Sequence, residues 1–216
     1  MSQHVDSDRL HTDLMYRFEY VSSFCDFGGE DIHAIKSAAA VLAPLVPAIV
    51  DAVYDKLFSF DITKAVFLKR NEGFSGAMAS DLDHLTQDSE QIRFRKGHLA
   101  KYLVKLVTGE YDEKFVMYLD KVGRVHVNWP GKASKINVEY IHCNALFGFV
   151  HYQLVAILHD AGLDREEEKA VLVAFTKLLW IQNDLFTRYY TRDGETVPGS
   201  AAHEIRQAQL EEDARN

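Results

Sequence analysis

Only two cysteines occur among 216 residues. Cys25 and Cys143 lie far apart and form no metal-ligand spacing, so neither a zinc site nor a disulfide framework is expected, and a reducing cytoplasm fits best. Proline is equally scarce, at four residues, which argues against long irregular stretches. Basic charge is in deficit: 24 Lys and Arg against 32 Asp and Glu leave a formal net charge of -8. Nucleic-acid binding draws its affinity from clustered cations and is therefore disfavoured. The one dense basic cluster, Arg93-Phe94-Arg95-Lys96, is too short to reverse this. The amino terminus, Met1 to Asp6, is polar and acidic, where a signal peptide would be basic and then apolar. The apolar run from Ala38 to Val50 is far short of a membrane span and contains Pro44 and Pro47, so no membrane insertion is expected. Strand-period segments and internal repeats are missing too.

What is present is helical periodicity over almost the whole chain. A length of 216 residues with 47% hydrophobic residues supports one domain with a sizeable core. A first helix is expected from about Asp8 to Phe24, closed by Gly28-Gly29, as an added leading helix. A second begins near Glu30, is broken or kinked by Pro44 and Pro47, and resumes toward Leu57 with Tyr54 beside its apolar stripe. The stretch Asn71 to Asp88 is rich in Gly, Ser and Asp and reads as loop. A longer helix follows from Ser89 to Val107, with Leu99, Leu103 and Leu106 on one stripe and Phe94, His98 and Tyr102 on the next. Asp112 then caps the helix through His126, and Pro130 and Gly131 mark a connection. Two long helices close the domain, Val138 to His159 and Asp164 to Thr191. The expected organisation is a disordered terminus at 1–7, a helical domain at 8–191 and a polar tail at 192–216.

His126 is the residue that carries chemistry. Helical spacing aligns Phe115, Leu119, Val122 and His126, so a basic imidazole points inward with an apolar face. It is either a core histidine satisfied by backbone or an axial ligand to haem iron. Seven or eight helices with an inward histidine just before the two longest is the order of a globin fold. A flat apolar slot could be supplied by Phe58, Phe67, Phe74, Phe94, Leu99, Val122, Val125, Trp129 and Phe147, although aromatic stripes on helices also serve simply as core.

Three local patterns then point to a family. They are Asp31-Ile32 through Pro44 followed by Ile49-Val50-Asp51-Ala52-Val53-Tyr54-Asp55-Lys56-Leu57; Gly109-Glu110-Tyr111-Asp112-Glu113-Lys114-Phe115; and Val122-Gly123-Arg124-Val125-His126. In this order and spacing, residues 8 to 191 resemble the globin-coupled sensor and protoglobin lineage. The resemblance implies an all-α globin fold with an extra leading helix, haem b as cofactor and His126 as proximal iron ligand. It implies Tyr54 on the distal side, where a phenol donates a hydrogen bond to bound gas, and Tyr140 on the proximal side, as in some sensors. His98 stands on the distal helix where other members carry a small hydroxyl or an apolar residue. It is either a competing sixth iron ligand or a solvent-facing or propionate-pairing side chain beside Arg95.

The expected function is reversible binding of a diatomic gas, O2, CO or NO, by a gas or redox sensor. The two closing helices would form a four-helix-bundle homodimer, and a separate partner would read the signal. A haem enzyme, such as an NO dioxygenase or peroxidase, and a haem-free helical interaction module are the alternatives. No acid-base pair or reductase segment supports turnover, which favours binding over catalysis.

Overall fold

A computed structural model describes residues 2–128 and 132–190. Among them every regular element is helical, in the order α1 Ser7–Thr12, α2 Leu14–Phe24, α3 Gly29–Ser37, α4 Ala39–Leu42, α5 Val46–Phe58, α6 Asp61–Ala65, α7 Glu90–Thr108, α8 Glu113–Arg124, α9 Tyr140–Asp160 and α10 Arg165–Thr187. The expected leading helix is split in two. Asp13 adopts an extended conformation and its carboxylate accepts from the Tyr16 amide, so it ends α1 and caps α2 in one residue. Asp6 caps α1 in the same way and its own N–H donates to the Tyr16 hydroxyl at 2.9 Å, so ordered structure starts slightly earlier than residue 8.

Pro44 and Pro47 act as expected. α4 stops at Leu42, a 3-10 turn spans Ala43–Leu45, and α5 begins with Pro47 in its first turn, where a missing N–H removes no helical bond. No helix forms among residues 69–89. Asp112 and Asp164 cap α8 and α10 through side-chain acceptance of the Phe115 amide and of the Glu166 and Glu167 amides.

Two apolar clusters hold these helices. The larger joins Ile35, Leu106, Phe115, Leu119, Leu158, Val171, Phe175 and Leu178, drawing α3, α7, α8 and α9 onto α10. Each fully buried side chain of this size contributes roughly 1.5–3 kcal/mol. The smaller cluster joins Val46, Val50, Val53 and Tyr54 of α5 with Phe67, Leu85 and Ile92. Ion pairs tie the periphery to α10: Arg17 grips Asp184 at 2.6 and 2.8 Å from α2, and Arg188 meets Asp120 of α8 at 2.8 Å. A two-pronged guanidinium-carboxylate bond fixes orientation as well as distance.

α9 forms where the sequence reading placed it, within two residues at each end. It is the one described helix long and apolar enough to cross a membrane, yet only 17% of its most apolar stretch is buried. The run examined in the sequence, Ala38 to Val50, is broken by its prolines; the uncharged stretch inside α9 is longer. Ile141, Tyr152 and Val155 stand exposed on α9, and Val173 and Trp180 on α10.

Candidate functional site

The end of α8 is built to hold one imidazole. Phe115 and Leu119 are 1% and 0% exposed and lock the helix onto α10. Gly123 sets the closeness of that contact: a Cβ there would lie 2.8 Å from the Leu185 carbonyl oxygen and 3.2 Å from the Phe186 Cα. α8 ends at Arg124, two residues before the sequence reading placed His126 on it, so the histidine sits in the turn that follows. Its N–H donates to the Gly123 carbonyl at 3.2 Å and its carbonyl accepts from the Val138 amide at 2.8 Å. The ring is half-buried, packed on Phe186 at 5.0 Å, and Phe147 meets Phe186 edge-on at 5.0 Å.

His126 Nδ1 lies 2.7 Å from the Val122 carbonyl oxygen. A carbonyl can only accept, so Nδ1 carries the proton and donates, and Nε2 keeps a free lone pair. Burial pushes the imidazole pKa down, and the charges of Lys132 and Arg95 push the same way, while the Val122 bond opposes them. The ring is therefore held neutral, with one fixed tautomer. That is the state a metal-binding histidine needs.

Lys132 completes the turn. Its buried ammonium donates to the carbonyls of Val125, Val127 and Ile136 at 2.8, 2.7 and 2.8 Å. An ammonium has three N–H donors, and all three are used on the loop that carries His126. From α10, the fully buried Gln182 donates to the Leu119 carbonyl at 3.1 Å and accepts from the Tyr102 hydroxyl at 3.3 Å, which joins α7, α8 and α10.

Across from this face stand α5 and α7. Tyr54 is 4% exposed, its ring 5.5 Å from that of Phe67, which in turn lies 5.6 Å from Phe58. Burial raises the Tyr54 phenol well above its ordinary pKa, with Arg95 pulling weakly the other way. The hydroxyl has no hydrogen-bond partner among the described residues. Phe74 packs on Phe94 at 5.2 Å, and Phe94 on the His98 ring at 4.5 Å. Burial and the charges of Lys101 and Arg95 lower the His98 pKa, although much of its ring remains exposed. Leu99 joins the smaller apolar cluster.

Other residues read from the sequence make contacts of a different kind. Val125 is 42% exposed and offers its carbonyl to Lys132 rather than an apolar wall. Val122 likewise contributes its carbonyl, to His126. Tyr140 is committed to the α9–α10 contact: its hydroxyl bonds Asn183 at 3.0 Å and Thr187 at 2.9 Å, and its ring lies on Tyr190. Trp129 lies outside the described residues, as does the 192–216 tail. Lys132, Gln182 and Phe186 were not among the residues read from the sequence. Phe186 had a visible signal, since it follows Leu185 on the apolar stripe of the last helix. Lys132 had none, because a lysine in a Pro-Gly loop reads as solvated.

The donor set bears on what the site can hold. No cluster of three or more His, Cys, Asp or Glu suited to a bare ion exists among the described residues. A single neutral imidazole between aromatic walls instead fits a metal that brings its own equatorial ligands, as haem iron does. Two open surface grooves, one along Ala100, Val104, Thr108 and Lys114 and one along Gly28, Ala34 and Ala170, do not include His126.

The globin domain of a Geobacter sulfurreducens globin-coupled sensor has a similar fold, with a TM-score of 0.63 at 21% identity, over 81% of this chain and 97% of that one. No curated protein matches the chain. The Protoglobin family model matches residues 14–196, from α2 through α10 and beyond. On that span, and with a globin-like fold around a tautomer-fixed histidine, the chain belongs to the Protoglobin family.

Proposed function

We propose that this chain binds haem b between His126 and the wall formed by Tyr54, Phe67, Phe94 and His98, and that it reversibly binds a diatomic gas there as a gas or redox sensor. Membership in a globin family implies a haem protein; the axial residues, the gas and the sensing role are the finer reading. When bound, haem would supply an iron that accepts one protein nitrogen and one gas molecule. The observation that carries the proposal is the His126–Val122 bond, which leaves Nε2 free and neutral beside an aromatic column.

Opposite it, the unpartnered Tyr54 hydroxyl is the donor that can reach a polar gas ligand, while Phe58, Phe67, Phe74, Phe94 and Leu99 exclude water. His98 is the second candidate axial nitrogen. While it occupies the sixth position, gas affinity falls by the fraction of time it is bound. The domain is taken as residues 8–191. The exposed apolar face of α9 and α10, with Ile141, Tyr152, Val155, Val173 and Trp180, supports pairing with a second copy through these helices. A signal leaving this domain would pass through that face to a separate partner in the cytoplasm.

The test is the absorption spectrum of the purified protein, ferrous and ligand-free, for wild type, His126→Ala and His98→Ala. We expect an intense haem band in wild type that is lost or displaced in His126→Ala. Split visible bands that merge into one broad band in His98→Ala would assign the sixth ligand. A wild-type protein that takes up no haem would overturn the proposal.

A further inference from the structure

Arg95 is a buried cation without an anion. It lies on α7, is 7% exposed, and has no carboxylate within ion-pair distance among the described residues. Its only hydrogen bond there runs from Nη2 to the Lys69 carbonyl, a neutral acceptor. Nε is fully enclosed and has no partner among the described residues. One face of the guanidinium is covered by the Phe67 ring, 5.1 Å from its centroid, and the Tyr54 ring packs on the same Phe67 at 5.5 Å. Burial pulls the Arg95 pKa down, but arginine does not lose its proton at any working pH. A charge so placed is stable only when an opposite charge or a full set of acceptors compensates it.

The position of this charge says where the anion belongs. Its field reaches Tyr54, favouring the ionised phenol, and reaches both His98 and His126, disfavouring their protonation. The three residues assigned to the two faces of the proposed haem site therefore share one cation. Each polar group lacking a partner on that side, the Tyr54 hydroxyl and the Arg95 N–H groups, can donate.

We propose that Arg95 makes this cleft an anion-binding site, whose ligand is a carboxylate or a small oxyanion seated against the guanidinium beside Tyr54. This rests on the haem reading, since the two sources of such a group are a haem propionate and a free anion entering the gas site. The fork of N–H donors matches the paired oxygens of either. A lipid surface is not called for, because the guanidinium is enclosed rather than presented outward.

The experiment compares wild type, Arg95→Met and Arg95→Lys as haem-loaded ferric proteins. Nitrite and the neutral ligand imidazole are titrated by absorbance, and haem release to an excess of a haem-free acceptor is timed with native haem and its dimethyl ester. If a free anion sits at Arg95, nitrite affinity falls about tenfold or more in Arg95→Met while imidazole affinity holds within about twofold, and Arg95→Lys lies between. If a propionate sits there, release of native haem speeds up about tenfold or more in Arg95→Met, while the dimethyl ester leaves both proteins at one rate. Unchanged release rates, with nitrite and imidazole affinities that shift together or not at all, would overturn the proposal.

A protein that takes up no haem removes the haem reading and leaves a separate arm. The melting midpoint of the haem-free chain is then compared in sulfate and chloride at equal ionic strength. Wild type should gain on the change to sulfate and Arg95→Met should not; equal gains count against the anion site. Arg95→Met should also melt no lower than wild type in chloride, because it removes an uncompensated buried charge and keeps the packing. A fall there marks Arg95 as a brace and overturns the inference.

Discussion

The two sides of the proposed haem site are built on opposite principles. On the α8 side almost every polar atom is spoken for: His126 Nδ1 by Val122, the turn carbonyls by Lys132, and Gln182 by Leu119 and Tyr102. Of the groups named here, His126 Nε2 is the one left open. On the α5–α7 side the Tyr54 hydroxyl, Arg95 Nε and the His98 ring all lack hydrogen-bond partners among the described residues. Of these three, Arg95 Nε is the one enclosed from water, and because buried polar groups are ordinarily satisfied, it is the group prepared for something else to supply its partner. The α8 side fixes a single atom in place, and in the proposed reading the α5–α7 side is the one that recognises a ligand.

This contrast predicts that substitutions on the α8 side act mainly on stability and those opposite act mainly on ligand behaviour. The largest effect is expected from Gly123→Ala. Its Cβ meets backbone of α10, which cannot rotate away, so α8 must lift and the protein should lose about 2–3 kcal/mol in urea unfolding. A loss under about 0.5 kcal/mol would mean that the α8–α10 contact is softer than described. Lys132→Met should come next, at about 2 kcal/mol, because it strands buried carbonyls around His126. It should also alter the ferrous CO spectrum, since the imidazole loses its fixed turn.

Tyr54→Phe should do the reverse. Unfolding should change by less than about 0.5 kcal/mol, because the hydroxyl has no partner to lose, whereas O2 dissociation should quicken about tenfold. Stopped-flow release at an unchanged rate would remove Tyr54 from the gas site.

The smallest expected effect is a pH dependence in the haem-free chain. His126 has a folded-state pKa below its ordinary value of 6.5, so the unfolded chain binds more protons as pH falls beneath 6.5. Stability should therefore drop as the pH falls below about 6.5. His126→Phe should flatten the slope, leaving the His98 contribution, which has the same sign. A slope unchanged by the substitution would show that the ring is not held neutral.

Much of this was legible in the sequence, for identifiable reasons. Caps are local, so Asp112 and Asp164 announce α8 and α10 without any knowledge of the fold. Proline chemistry is local as well, and the break at Ala43–Leu45 follows from it. Periodicity found the inward stripe of Phe115 and Leu119 and the aromatic residues of α5 and α7. It overran at the end of α8, because the spacing that places His126 on the helical stripe is also compatible with a turn just past the last helical residue. For α9 it found the helix and left its face open, since an apolar helix gives the same pattern whether that face meets its own core or lies exposed.

By itself the sequence determined the helical class, the order of elements and the placement of His126 at the end of an apolar stripe, because caps, prolines and periodicity act over only a few residues. The tertiary structure alone decided the tautomer of His126, the three carbonyls given to Lys132 and the missing counter-charge of Arg95. Those depend on which backbone carbonyls and carboxylates distant segments bring near a side chain. Hydrogen bonds and charges act through distances of a few ångströms in space, and spacing along the chain does not encode them.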